Sequence, residues 1–331
     1  MLSAQTMQRG SVTIRSPRFA TVCVQGEPET NLQARHSLLN LLNDVALEVN
    51  KRWETLDAVV FPGGFLHLDE RIGPLCYADR VNVLDAAGFI ASVKQAVAAL
   101  DRSPDVLIVF GADGPSYPNG DGGDQLCVAA DKNGIVGIGR KVFPVAGKEA
   151  DSLLCYDADF AEAHRIVTLR SDRKAILSAC YDMFGVAEHG DASGVRARYI
   201  RRIGSSEERI ERGDRGFEDR LTRNLSAFRR LLDGVSVGIA AIHYFSGYST
   251  GFWQRHGIAA CSAALGSGFA VGAAHFRVLP REPNSSTLAA AQVPPIHLTQ
   301  GLRRQARSWE TLGDFTVDSG QRSALVRLFE P

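Results

Sequence analysis

An α/β fold with two sheets packed face to face beneath outer helices is what this 331-residue sequence predicts. Two observations carry the expectation. In the first third, apolar runs that end at Gly or Pro alternate with stretches whose apolar residues recur at helical spacing, the pattern of strands with covering helices. In the middle of the chain, hairpins replace that alternation.

The elements follow in order. Ser11 to Gln25 finishes in the apolar run Ala20–Val24, a strand, and Asn31 to Trp53 carries Leu38, Leu42, Val45 and Val49 at helical spacing. Leu56–Phe61 is a buried strand stopped by Pro62-Gly63-Gly64; Val83–Leu100 reads as a helix, and Val106–Phe110 as a strand ending at Gly111 to Gly114. Gln125–Ala130 and Ile135–Gly139 flank Asp131 to Gly134, and Asn-Gly is a strong hairpin turn signal. Arg165–Leu169 and Ala175–Ala179 form a second hairpin around Ser171 to Arg173. A helix over Phe217–Leu232, a strand over Val235–Ile242, a helix over Trp253–Leu265 and a strand over Gly268–His275 complete the pattern. The tail after Pro280 is proline-interrupted, with short strands expected near Phe315–Val317 and Leu325–Leu328.

Composition excludes several classes. Lys plus Arg and Asp plus Glu number 37 each, so net charge points to neither nucleic acid nor an anionic membrane. The six cysteines are scattered, without a CxxC pair, which argues against a zinc site and a disulfide framework. No run reaches the roughly 18 apolar residues of a membrane span, and residues 1–10 lack an apolar signal core. The expectation is a cytoplasmic protein: a flexible stretch over residues 1–10, then one domain over residues 11–331. Within it, residues 188–216 mix seven arginines, Arg196 to Arg215, with Glu207, Glu208, Glu211 and Asp214. Such a segment without periodicity reads as a solvated insertion or a lid; a phosphate contact is the weaker reading.

Cys180 is the leading functional candidate. The strand Ile176–Ala179 delivers it to a sharp turn at Tyr181-Asp182, presenting the thiol at a sheet rim, where a nucleophile must sit. The opposing reading is a small buried hydrophobe. Cys155, in LLCYDADF, mimics the motif but lacks a hairpin before it, and His243 and His275 end apolar strands as pocket-lining or core histidines.

The stretches GIVGIGRKVFPVAGKE (Gly134 to Glu149), ILSACYDMFGVAE (Ile176 to Glu188) and DAVVFPGGF (Asp57 to Phe65) together resemble the nitrilase, or carbon–nitrogen hydrolase, superfamily. The resemblance extends over most of Ser11 to Phe276. It implies an α-β-β-α sandwich of two mixed sheets and a homodimer or higher homo-oligomer. The implied activity is cleavage of a small non-peptide amide or nitrile-type substrate through a cysteine acyl-enzyme, with no metal or organic cofactor. By the resemblance, Cys180 is the nucleophile and Lys141 the cation that stabilises the oxyanion. Glu149 is the second glutamate, and the Tyr181 N–H completes the oxyanion hole. A lysine beside a thiol lowers its pKa and supplies charge where the transition state develops it. The departure lies at Gly63, where the family carries the glutamate that serves as general base. Asp69 and Glu70 lie too far along to replace it. Glu149 and Asp182 are candidates to act in its stead, and Gly63→Glu is the complementary test, in which restored turnover would mean that the pocket is otherwise intact. The alternative is a catalytically silent relative that keeps the pocket for a ligand or partner.

Overall fold

The structure is a computed structural model that describes residues 16–28, 32–116, 123–187, 196–245, 253, 257–266, 268–277, 289–291, 311–320 and 322–330. The chain begins with β1 (Phe19–Gln25), α1 (Leu32–Arg52), β2 (Ala58–Val60) and β3 (Leu66–His67). It continues through α2 (Tyr77–Ala86), α3 (Phe89–Ala99) and β4 (Leu107–Asp113). The helix expected over Val83–Leu100 is therefore two helices: the chain breaks at Gly88, whose φ of 76° only glycine adopts at little cost. The first hairpin is β5 (Gln125–Asp131) and β6 (Gly134–Arg140), followed by α4 (Lys148–Ser152), β7 (Leu154–Tyr156) and α5 (Asp157–Phe160). The second is β8 (Ile166–Thr168) and β9 (Lys174–Ala179), leading into α6 (Asp182–Ala187). Next come β10 (Arg202–Gly204), β11 (Arg209–Glu211), α7 (Phe217–Leu231), β12 (Val235–Phe245), α8 (Ala259–Ala264) and β13 (Phe269–Phe276). The described tail adds β14 (Ala289–Ala291), β15 (Thr311–Ser319) and β16 (Arg322–Phe329).

Two half-sheets carry the fold. One runs β6-β5-β4-β2-β1 and continues antiparallel through β16 to β15; the other runs β8-β9-β12-β13 with β14 at its edge. They are hydrogen-bonded into one thirteen-stranded sheet where the end of β1 meets β13, at Val24 with His275 and Gln25 with Phe276. The two sheets expected face to face are the two halves of this one hydrogen-bonded sheet.

Strand alternation sorts the apolar residues into three layers. On β9, Ala175, Leu177 and Ala179 join Val60, Val109, Ile239 and Val271 between the half-sheets. Ile176 points the other way, into the layer of Met183, Leu221, Phe228 and Cys261 beneath α6, α7 and α8. The outer face of the first half-sheet packs Val59, Ile108 and Val128 against Leu41, Val45, Phe89 and Val93 of α1 and α3. Helix, sheet, sheet, helix is the resulting order. The half-sheets approach closely where β6 crosses β9: a Cβ on Gly139 would stand 2.5 Å from the Leu177 carbonyl oxygen. A side chain at 139 would hold the two hairpins apart.

The Arg-rich segment departs from its expected character. Residues 188–195 lie outside the described part, but from Arg196 onward the chain is built into the fold. β10 pairs with β11 and, in parallel, with β7, making a second, three-stranded sheet. Arg196 is buried, its guanidinium 4.4 Å from the Tyr181 ring centroid and 4.8 Å from that of Phe184. Arg198 and Arg212 lie over the Tyr199 and Phe217 rings, and Arg202 donates to the Asp151 carbonyl at 2.8 Å. Among the described residues, no helix is long and apolar enough to cross a membrane.

A buried ionic chain braces the end of β6. Arg140 donates through Nε to Asp124 at 2.7 Å and through Nη1 to Asp159 at 2.8 Å; Asp159 also accepts from Arg80 at 2.7 Å. Removing one cation from such a set strands buried carboxylates, which costs about 3–5 kcal/mol. Arg140→Leu is therefore expected to lower the unfolding free energy by about that amount in urea denaturation, whereas a loss below about 1 kcal/mol, the scale of a surface pair, would contradict the bracing role.

Candidate active site

Cys180 is the first residue past β9, and its φ of 49° places it in the left-handed region. A non-glycine residue pays roughly 1–2 kcal/mol for that conformation, and such strain concentrates at functional sites. Its N–H donates to the Ala241 carbonyl on β12 at 2.8 Å, so the strand pairing continues one residue before the chain turns into α6.

Lys141 occupies the same rank on the other half-sheet, one residue past β6, with its N–H on the Gln125 carbonyl at 2.9 Å. Its side chain is only 2% exposed, and its Nζ donates to Gln125 Oε1 at 2.9 Å and to Glu149 Oε1. Burial disfavours the ammonium, but the Glu149 carboxylate, the Cys180 sulfur and the Glu149 hydrogen bond hold the Lys141 pKa above its ordinary value. Lys141 is a fixed cation. Glu149 is bound on both oxygens: Oε1 accepts from Lys141 and Gln125, and Oε2 from the Val145 N–H at 2.5 Å. Burial pushes its pKa up, yet the Lys141 charge and these hydrogen bonds outweigh that and hold it below the usual carboxylate range.

Asp182 locks these two elements together. Its Oδ1 accepts the Val142 and Phe143 N–H groups at 2.8 and 2.9 Å, and its Oδ2 accepts from Arg165 at 2.8 Å. Both acceptor atoms are thereby committed, and the residue is fully buried.

A second pair stands beside the thiol. His243 lies on β12 two positions beyond Ala241, at a bulge where pairing with β13 shifts between Ile242 and Tyr244. Bulges re-aim side chains next to active sites. The His243 Nε2 lies 2.9 and 2.8 Å from the two carboxylate oxygens of Asp113, the last residue of β4 on the opposite half-sheet. Its Nδ1 is buried without a hydrogen-bond partner of ordinary geometry among the described residues, and the ring interacts with the Cys180 side chain. Burial opposes the imidazolium, but Asp113 and then Cys180 push the His243 pKa up to about 10. Cys180 moves the other way. Burial would raise its pKa, but the Lys141 charge and the His243 contact together bring it below the ordinary thiol value.

Gly63 borders this pair. Its N–H donates to the Ile242 carbonyl at 2.9 Å. A Cβ built there would stand 2.8 Å from His243 Nδ1 and 2.9 Å from both the Ala241 oxygen and the His243 nitrogen. Position 63 thus has no room for a glutamate without a backbone shift, so Gly63→Glu meets a steric obstacle.

The other candidates separate from the site. The Cys155 thiol donates to the Val142 carbonyl at 3.0 Å, and burial raises its pKa, the behaviour of an inert core thiol. His275 is fully buried, and burial drives its pKa down to about 3, so it is neutral. Tyr181, whose N–H is the expected oxyanion donor, stacks on Phe184 at 4.9 Å, with Lys141 Nζ 5.7 Å from its ring centroid and Trp253 5.2 Å from it edge-on. A cavity lined by Pro104, Lys132, Val136, Val167 and Arg170 sits at the opposite ends of these strands, away from Cys180. His243 and Asp113 are the pair that sequence reasoning did not join, although both end apolar strands at glycine- or aromatic-rich turns.

No family model matches the chain, and no curated protein matches it. Solved structures do. An amidase from Nesterenkonia sp. is similar over 96% of this chain and 90% of its own, with a TM-score of 0.50 at 15% identity. A cysteine mutant of the Nesterenkonia AN1 amidase, from the nitrilase superfamily, gives 0.48 at 14% identity, over 96% of this chain and 90% of that one. A glutamine-dependent NAD(+) synthetase from Cytophaga hutchinsonii gives 0.42 at 10% identity, over 79% of this chain and 36% of its own. The first likeness establishes the shared fold.

Lys141 is expected to set the reactivity of Cys180. In Lys141→Met, iodoacetamide alkylation of Cys180 at pH 7 should slow by about tenfold, equivalent to about 1.4 kcal/mol of lost thiolate stabilisation. The pH midpoint of alkylation should move up towards that of a free thiol. An unchanged midpoint, read by peptide mass spectrometry in a variant that melts like wild type, would contradict the assignment.

Proposed function

We propose that this chain is a thiol hydrolase of the carbon–nitrogen class, a divergent relative of the nitrilase superfamily, acting on a small non-peptide amide or nitrile-type substrate. The observation that carries this reading is the pairing of a thiol with lowered pKa at a strained strand end with a buried, hydrogen-bonded lysine cation. Packing alone would not select that arrangement, because burying an ammonium is costly unless it is paired. In the proposed reaction the Cys180 thiolate attacks the substrate carbon. The Lys141 ammonium, oriented by Glu149 and Gln125, and the Tyr181 N–H stabilise the oxyanion. With an amide, collapse expels the amine, which takes up a proton, and leaves a thioester; a nitrile gives a thioimidate instead, and water then hydrolyses either adduct to the acid. The shared fold with an amidase supports the reading without deciding the substrate. A homo-oligomer, as in the family, is part of the same proposal.

The test is chemical. Wild-type protein incubated with a panel of short aliphatic amides, nitriles and activated esters is expected to release amine, ammonia or alcohol. On quenching, it should carry an acyl mass on the Cys180 peptide that is absent in Cys180→Ala. Absence of both product and adduct across the panel would overturn the reading in favour of a silent ligand-binding relative.

A further inference from the structure

We propose that His243, positioned by Asp113, is the proton-transfer group of Cys180, forming a Cys180–His243–Asp113 relay in the space that Gly63 leaves open. The inference rests on the thiol hydrolase reading and supplies the part that reading lacks. An acyl-transfer thiol needs a group to protonate the leaving nitrogen and then to deprotonate water. The two carboxylates named as replacements, Glu149 and Asp182, cannot serve. Glu149 has both oxygens committed to Lys141, Gln125 and Val145, and Asp182 has both committed to Val142, Phe143 and Arg165.

His243 meets the geometric requirements. Its strand is the direct neighbour of β9, and Cys180 N–H is tied to that strand at Ala241. Its Nε2 is taken by Asp113, which fixes that nitrogen as the one carrying hydrogen and leaves Nδ1 to exchange a proton. Asp113 does not touch the thiol in this arrangement; it is a positioning residue. The His243 and Asp113 side chains are 21% and 15% exposed, so water can reach the dyad while most of it stays desolvated. The imidazole also fills the volume that any side chain at position 63 would require.

The proton account balances. In the resting site Cys180 is a thiolate and His243 an imidazolium. As sulfur bonds to the carbonyl carbon and the C–N bond breaks, His243 gives its proton to the departing nitrogen, leaving a thioester and neutral imidazole. Water then adds to the thioester carbon while His243 takes its proton. The C–S bond breaks, the acid leaves, and thiolate and imidazolium are restored. The charged and titratable groups facing His243 are Asp113 from β4, Cys180 past β9, His67 from β3, Glu149 from α4 and His275 from β13. Burial holds the pKa of His67 below its ordinary value and that of His275 at about 3, so neither adds charge near neutrality.

The probe is p-nitrophenyl acetate, whose leaving group needs no proton, so that it isolates deacylation. Wild type should release p-nitrophenolate continuously. His243→Gln should give a burst of about one equivalent and then a steady rate lower by about 10²- to 10⁴-fold, with an acetyl group retained on Cys180 by intact mass. Asp113→Asn should keep turnover and move the acid limb of its deacylation pH profile to lower pH, because losing the carboxylate lowers the His243 pKa and exposes the neutral base earlier. Deacylation by His243→Gln at the wild-type rate would overturn the relay and leave the thiol hydrolase reading standing. An unmoved pH limb in Asp113→Asn would also overturn it, and serves as the deciding test if His243→Gln fails to fold. Wild-type protein that neither releases p-nitrophenolate nor acquires the acetyl group would overturn both.

Discussion

The site depends on one buried carboxylate. Cys180 and Lys141 come from different hairpins on opposing half-sheets, and Asp182 is the side chain that spans from one to the other. It follows the cysteine by two residues and accepts the two N–H groups that follow the lysine, while Arg165 neutralises it. Arg165 in turn donates to the Arg140 carbonyl, next to Lys141. A buried ion pair is a poor source of net stability, because desolvation offsets much of its Coulomb energy. Its effect here is registry: if the hairpins slid by one residue, two backbone N–H groups and a guanidinium would lose their acceptor.

That registry brings three kinds of strand end to one place. Parallel strands of each half-sheet finish at the same rim, so the residues just past β9 and β6 and the last residue of β4 converge with a bulged residue of β12. Small residues set how close the half-sheets come, with Gly139 against Leu177 beneath the site and Gly63 against Ala241 and His243 beside it. The resulting cluster alternates in charge: Glu149 against Lys141, Lys141 facing Cys180, His243 between Cys180 and Asp113. Each cation offsets the burial cost of a neighbouring anion, which is how a lowered thiol pKa and a raised imidazole pKa coexist in a mostly dry site.

Much of this was legible in the chain. Cys180 and Lys141 sit at hairpin ends marked by Asn-Gly and polar turns, with Glu149 in the short helix after Lys141, and local signals of that kind survive without tertiary information. His243 was legible only as a histidine ending an apolar run. Its role depends on a bulge that leaves no mark in composition, and on Asp113, which is brought close by the folding of one half-sheet over the other. The same distance effect hid the meaning of Gly63. In sequence it reads as a missing carboxylate; in three dimensions a side chain there would meet the His243 ring and the β12 backbone. The arginines from Arg196 onward looked solvated because their partners, Tyr181 and Phe184 for Arg196 and the β7 edge for Arg202, lie on other elements.

The central claim is that the resting site holds a thiolate and an imidazolium side by side. Thiolate absorbance near 240 nm, titrated from acid to alkaline pH in wild type and in Cys180→Ser, measures it directly. The account predicts about one thiolate more in wild type at neutral pH, arising below the range of a free thiol and shifted to higher pH in His243→Gln. Superimposable wild-type and Cys180→Ser titrations up to that ordinary range would contradict it.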